Sequence, residues 1–163
     1  MLINASTIPT TAVGFLLGLA VKTLLEFRVA TFLVKWLWWL PVRNIFREKP
    51  IKLAGQWEQT WSSGTSPKFQ DARDRHAHPV VRQLGSHCYS EFLAKGAVYV
   101  LFGRVEGQHL VGEWYDKKDR HGYFGVFQLR ISDSATMEGK WVGHSKTSYE
   151  IRCDDWYWKR VSA

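Results

Sequence analysis

From Leu53 onward the sequence runs in short alternating segments separated by turn residues, and this constrains the fold more than any other feature. "YFGVFQLRI" (123–131) sets Tyr123, Gly125, Phe127, Leu129 and Ile131 on one face and Gln128 and Arg130 on the other. That is the period of a half-buried strand. "TMEGKWVGH" likewise sets Met137, Gly139, Trp141 and Gly143 against Glu138, Lys140, Val142 and His144. "AVYVLFGRV" (97–105) passes through Glu106, Gly107 and Gln108 into "HLVGEWYD" (109–116), with Gly107-Gln108 a two-residue hairpin turn. "KKDRHG" (117–122) and "SDSA" (132–135) are polar connections. "GQWEQTW" and "PVVRQLGSHCYSEFLA" read as two to three more strands. "SYEIRC" and "DWYWKRV" close the chain, with Trp156 and Trp158 on one face and Asp154-Asp155 at a turn before the final strand. The prediction is an all-β domain over residues 54–163, a small antiparallel meander of about seven or eight strands closed as a barrel or folded as a sandwich. Residues 62 to 78 are the one clear non-strand stretch, a connection long enough to carry function.

Gly-x-Trp recurs three times, at Gly55 to Trp57, Gly112 to Trp114 and Gly139 to Trp141. A glycine two residues before a tryptophan shares its face of the strand. It makes room for a neighbouring ring or permits the bend a small barrel needs. The three tryptophans are expected in the core.

The N-terminal part differs. Met1 to Val21 carry no charged side chain, and "AVGFLLGLAV" is densely apolar. After Lys22 the apolar character resumes in "TLLEFRVATFLVKWLWWL". One helix over residues 10 to 46 would be ~55 Å long, against a bilayer core of ~30 Å. Residues 1–46 are therefore read as a transmembrane or interfacial helical region. Two layouts stay open: a single span with its distal part in the interface, and a tight hairpin turning near Glu26, Phe27 and Arg28. Trp36, Trp38 and Trp39 look like an interfacial aromatic belt. Residues 47–53 form a basic juxtamembrane linker, and Arg43, Arg47, Lys49 and Lys52 put that end on the cytoplasmic side. Lys22, Glu26, Arg28 and Lys35 are costly at bilayer depth, ~2.5–3.5 kcal/mol each on insertion scales. Either they snorkel, or they face the interior of an oligomeric bundle and line a pore.

Charge and cysteine content narrow the chemistry. Of the net +7, residues 1–42 hold +2, residues 43–53 hold +3 and the remainder +2. The basicity is thus concentrated beside the membrane segment, and no face for a DNA or RNA polymer is implied. Two cysteines, Cys88 and Cys153, read as reduced thiols. His76-x-His78, with His87 and Cys88 nearby, lacks the three or four firmly spaced ligands of a zinc site. No nucleophile elbow or P-loop occurs, so neither a catalytic residue nor a metal or cofactor is assigned. What remains is an anion-binding set at strand ends and loops: Arg75, His76, His78, Arg82, Arg104, Lys117, Lys118, Arg120, His121, His144, Ser145 and Lys146. Such residues beside aromatics suit a ligand carrying both phosphates and bases. Arg82 and Arg104 lie within apolar strands, where an arginine needs a partner.

The stretch from Gly103 to Lys146, with its Gly112-Glu113-Trp114, Gly125-Val126-Phe127-Gln128-Leu129 and Met137-Glu138-Gly139-Lys140-Trp141-Val142-Gly143 pieces, together with "DDWYWKRV", resembles a known family. It is similar to the C-terminal β-barrel domain of small membrane-anchored effectors of prokaryotic antiphage defence, the CBASS type. Similar membrane effectors accompany type III CRISPR systems. The resemblance implies a non-enzymatic effector at the bacterial inner membrane with its β-domain in the cytoplasm. The implied ligand is a cyclic oligonucleotide, such as cyclic tetra-adenylate or a cyclic dinucleotide. It further implies a homo-oligomer, a tetramer being one arrangement, whose rearrangement opens a pore or disrupts the membrane. Two other readings are a membrane-tethered lipocalin-like binder of an apolar ligand and a holin-like structural membrane protein.

Overall fold

The computed structural model describes residues 13–15, 17–18, 29–41, 50–62, 69 and 71–161. Among the described residues, helix α1 (Val29–Leu37) precedes nine strand segments: β1 (Gly55–Trp61), β2 (His76–Ala77), β3 (Val80–Leu84), β4 (His87–Ala94), β5 (Ala97–Glu106), β6 (His109–Asp116), β7 (Tyr123–Ile131), β8 (Thr136–Ser145) and β9 (Ile151–Arg160). A short 3-10 turn, Ala72–Arg75, leads into β2. Each strand from β3 to β9 pairs antiparallel with the next. β1 pairs with β3 on one side and with β9 on the other, from Trp57↔Arg160 to Trp61↔Trp156. This seam closes an eight-stranded antiparallel barrel, not a sandwich. Closure leaves no sheet edge unpaired.

β2 and β3 are one strand with a gap. Gln59↔Ala77 and Gly55↔Val81 keep the same register against β1. Pro79 has no N–H to give the ladder and sits in the gap, and its carbonyl accepts from Trp57 N at 2.9 Å. Part of the expected 62–78 connection is therefore strand, because His76 and Ala77 still find β1. Asp154 and Asp155 are also corrected. They lie inside β9, which runs unbroken from 151 to 160 because both residues pair with β8, Asp154 with Trp141 and Asp155 with Lys140.

Alternation sends Trp57, Val81, Cys88, Leu101, Leu110, Phe127, Leu129, Met137, Trp156 and Trp158 into the barrel as the core. Outside, α1 lies on β3 and β4, where Val34 is buried against Tyr89 and Val100. One end of the barrel is a sealed floor. Gln83 Oε1 accepts from Leu53 N at 2.7 Å, and its Nε2 donates to the Ile51 and Gly85 carbonyls. Arg160 donates to the carbonyls of Lys52, Ala54 and Ser134 and lies 4.6 Å over the Trp57 ring. The incoming linker is thereby fixed to the barrel through Gln83 on β3 and Arg160 on β9.

Among the described residues no helix is long and apolar enough to cross a membrane. Most of the 1–46 region, including Lys22, Glu26, Arg28 and the alternative hairpin turn, lies outside the described residues.

Candidate ligand-binding cavity

The end opposite the floor is open. A cavity of about 380 Å³ enters there between β1, β4–β9 and their connecting turns, a size common for small-molecule sites. Its wall is an aromatic belt. Trp141 meets Trp114 edge-on at 5.7 Å, Trp114 meets Tyr99 at 6.0 Å, Tyr99 stacks on Phe92 at 5.6 Å, and Phe92 contacts both Trp61 and Trp156. Phe69, from the connection after β1, closes edge-on over Trp61 at 5.6 Å.

Glycines make this belt possible. Gly125 and Gly143 are cross-strand partners. A Cβ on Gly143 would lie 2.2 Å from Trp114 Cζ2, and one on Gly125 would lie 2.6 Å from Trp114 Nε1. The Trp114 indole thus occupies the space that two side chains would fill. The glycines of the Gly-x-Trp units act differently. Gly112 and Gly139 press against backbone carbonyls of Phe102 and Gln128, and Gly55 admits the Arg160 guanidinium. Of the three repeated tryptophans only Trp57 is fully buried, whereas Trp114 and Trp141 are half-buried cavity walls.

The polar groups of the cavity are few. Arg152 points inward on β9 and is 18% exposed. Its Nε and Nη2 donate to Glu150 at 3.1 and 2.6 Å, while Nη1 is buried without a hydrogen-bond partner among the described residues. Trp114 Nε1 and Trp156 Nε1 are buried donors in the same condition, and Trp156 is 3% exposed. Asp154 also lines the cavity, two residues from Arg152 on the same face. Burial pushes the Tyr99 hydroxyl up to about 12, with the Asp116 charge adding to it, so it stays a neutral donor. Unsatisfied buried donors are uncommon in native interiors. Three of them, on Arg152, Trp114 and Trp156, line the cavity, whereas Gln59 and the Trp158 indole, buried in the same condition among the described residues, do not.

The residues expected to bind an anion divide. His144 and Ser145 contribute to the cavity wall. The His144 ring itself packs on Phe124 at 5.2 Å. Lys146 is at the rim, where its ammonium pairs with Asp119 and lies 5.7 Å from the Tyr123 ring. The others do not converge there. Arg75 donates to the Asp71 carbonyl. His76 pairs with Glu58 at 2.7 Å and its ring meets that of His78 at 4.5 Å. Arg82 and Arg104 face outward, Arg82 toward the Lys35 carbonyl and Arg104 toward Glu106. Lys117 pairs with Glu91 at 3.0 Å, and Arg120 stacks 4.4 Å over Tyr115. Lys118 and His121 belong to the β6–β7 turn and do not line the cavity. Among the described residues no group of three potential ligands could hold a metal ion.

Of the membrane set, Lys35 is on α1 with its ammonium 2.8 Å from Glu91. In the single chain it faces the barrel. Trp36, Trp38 and Trp39 are exposed at 61%, 47% and 65%.

Arg152 and Asp154 were not among the sequence candidates. Their signal was present: Trp156 and Trp158 share a face, and counting back by twos from them reaches Asp154 and Arg152. Comparison with family models, with curated proteins and with solved structures gives no match.

Proposed function

We propose that the chain is a membrane-tethered effector of antiviral defence whose barrel cavity binds a cyclic nucleotide. The observation that carries this reading is the aromatic cavity with the Arg152 Nη1 donor buried inside it and without a partner among the described residues. A flat base has stacking partners in the half-buried Trp114 and Trp141. A phosphate has Arg152 and the free indole N–H donors. The donor edge of a base has Asp154. In this reading the N-terminal region anchors the barrel to the inner membrane from the cytoplasmic side. Ligand binding biases a homo-oligomer toward the arrangement in which the N-terminal helices open or disrupt the bilayer. That bias requires the ligand to bind the two arrangements unequally.

The purified protein is tested by thermal shift against cyclic di-, tri- and tetranucleotides. A cognate ligand at about 100 times its dissociation constant adds ~2.7 kcal/mol of stability. Arg152→Ala removes most of that shift, and the ligand-free melting temperature measured alongside separates this from any loss of its packing on the cavity wall. No response to any cyclic nucleotide overturns the reading. A response to fatty acids or other apolar ligands instead would favour the lipocalin-like alternative, which the closed eight-stranded barrel also supports.

A further inference from the structure

The helix α1 is apolar on both sides, which a helix resting on a barrel wall does not need to be. Its inward side carries Lys35 on Glu91 and Val34 against Tyr89 and Val100. Its outward side carries Phe32 at 61% exposure and Trp36, whose rings lie 6.4 Å apart, and Trp39 follows in the turn after it. An ordinary helix on a barrel wall turns its apolar side inward. The strands beneath α1 repeat the pattern. Val80 on β3 and Leu93 on β4 are large apolar residues left exposed on the outer wall. Exposed apolar side chains thus occur both on the outward side of α1 and on the two strands it rests on, with the Lys35–Glu91–Lys117 pairs on the same outer wall.

We infer that this face is a monotopic docking surface, on which α1 lies in the plane of the bilayer and holds the β3–β4 wall of the barrel against anionic lipid. The occupant follows from composition and charge. Tryptophan and phenylalanine on an exposed helix face suit the headgroup layer, where an apolar body meets a polar edge. The sequence just after α1 carries Arg43, Arg47, Lys49 and Lys52 against Glu48 alone, complementary to anionic headgroups. The sequence before it is the apolar segment from Ala12 to Val21. The inference rests on the membrane tether of the proposed function and deepens it. Residues 29–39 are assigned to the surface, so any span must come from upstream. The barrel lies on its side, and the cavity mouth opens along the membrane. The outer face of β7 and β8, half-way round the ring from β4, points to the cytoplasm.

The test uses the full chain in phosphatidylcholine–phosphatidylglycerol vesicles. Single cysteines are introduced at exposed positions, W36C and L93C on the proposed face and V126C on the far wall, in a C153S background, and each is labelled with NBD. All three positions are outside the core, so the labels leave the barrel intact. The labels at 36 and 93 are expected to shift to the blue and to be quenched by shallow spin-labelled lipids, at a depth of about 5–10 Å. The label at 126 is expected to remain aqueous. Protein that floats with vesicles but leaves the labels at 36 and 93 in water overturns this inference and spares the tether. Labels shielded from water yet untouched by lipid quenchers also overturn it and identify a protein partner. Protein that does not float at all overturns both the inference and the tether, whatever the nucleotide binding.

Discussion

Glu91 is held by side chains from three places: Lys35 on α1, Tyr89 on its own strand and Lys117 in the β6–β7 turn. Burial opposes its ionisation, and hydrogen bonds from Lys35, Tyr89 and Lys117 overcome that, drawing the carboxyl from 4.5 to about 2. A depressed folded-state value contributes stability above the unfolded value and loses it as pH falls through the folded one. The contribution of Glu91 is therefore complete above pH 4.5 and disappears toward pH 2. Melting temperature against pH should fall across that window, and Glu91→Gln should flatten the fall while lowering stability at neutral pH. The partners of Glu91 could not be read from spacing, since Lys35 is far from it in sequence. Arg152 and Asp154 were hidden differently. Two adjacent aspartates look like a turn, and only the cross-strand hydrogen bonds of β8 keep β9 extended through them.

At the level of elements, the hairpins β5–β6 and β7–β8 were legible because alternation and turn chemistry agree there. Glu106 faces His109 around Gly107-Gln108, as the two-residue turn requires. The interior faces of β7 and β8 are those that the alternation gives. The interruption between β2 and β3 was less legible, since a proline in a strand normally argues against pairing. α1 was legible as an apolar helix but not as a helix resting on a barrel, because both its faces are apolar. The Gly125–Gly143 pair supports an element-scale prediction. Gly143→Ala drives a methyl into Trp114, and overpacking of this kind costs about 1–3 kcal/mol. The displaced indole should also weaken ligand binding more than the stability loss explains. Calorimetric titration of the variant, with melting measured alongside, separates the two effects.

For the whole molecule, the choice between barrel and sandwich could not be made from alternation, which both satisfy. The β1–β9 seam decides it, and the pairing of the first strand with the last is a long-range fact that no local pattern encodes. The closed ring also sorts the two thiols. Cys88 is sealed inside, where burial pushes its thiol up to about 12, and Cys153 lies exposed on β9. Maleimide should therefore modify one thiol per native chain at Cys153, and a second only on unfolding, as mass spectrometry can count. The seam has a consequence for the order of assembly. Residues 151–160 are synthesised after every other strand of the barrel, and until they appear neither the β1–β9 ladder nor the Arg160 clamp over Trp57 can form. The apolar N-terminal segment leaves the ribosome long before. Chains made from the N-terminus fold domains as their sequence becomes available, and non-local pairings are slow to form. Under the proposed membrane tether, the N-terminal segment meets the bilayer while the barrel is still an open sheet, before the cavity exists.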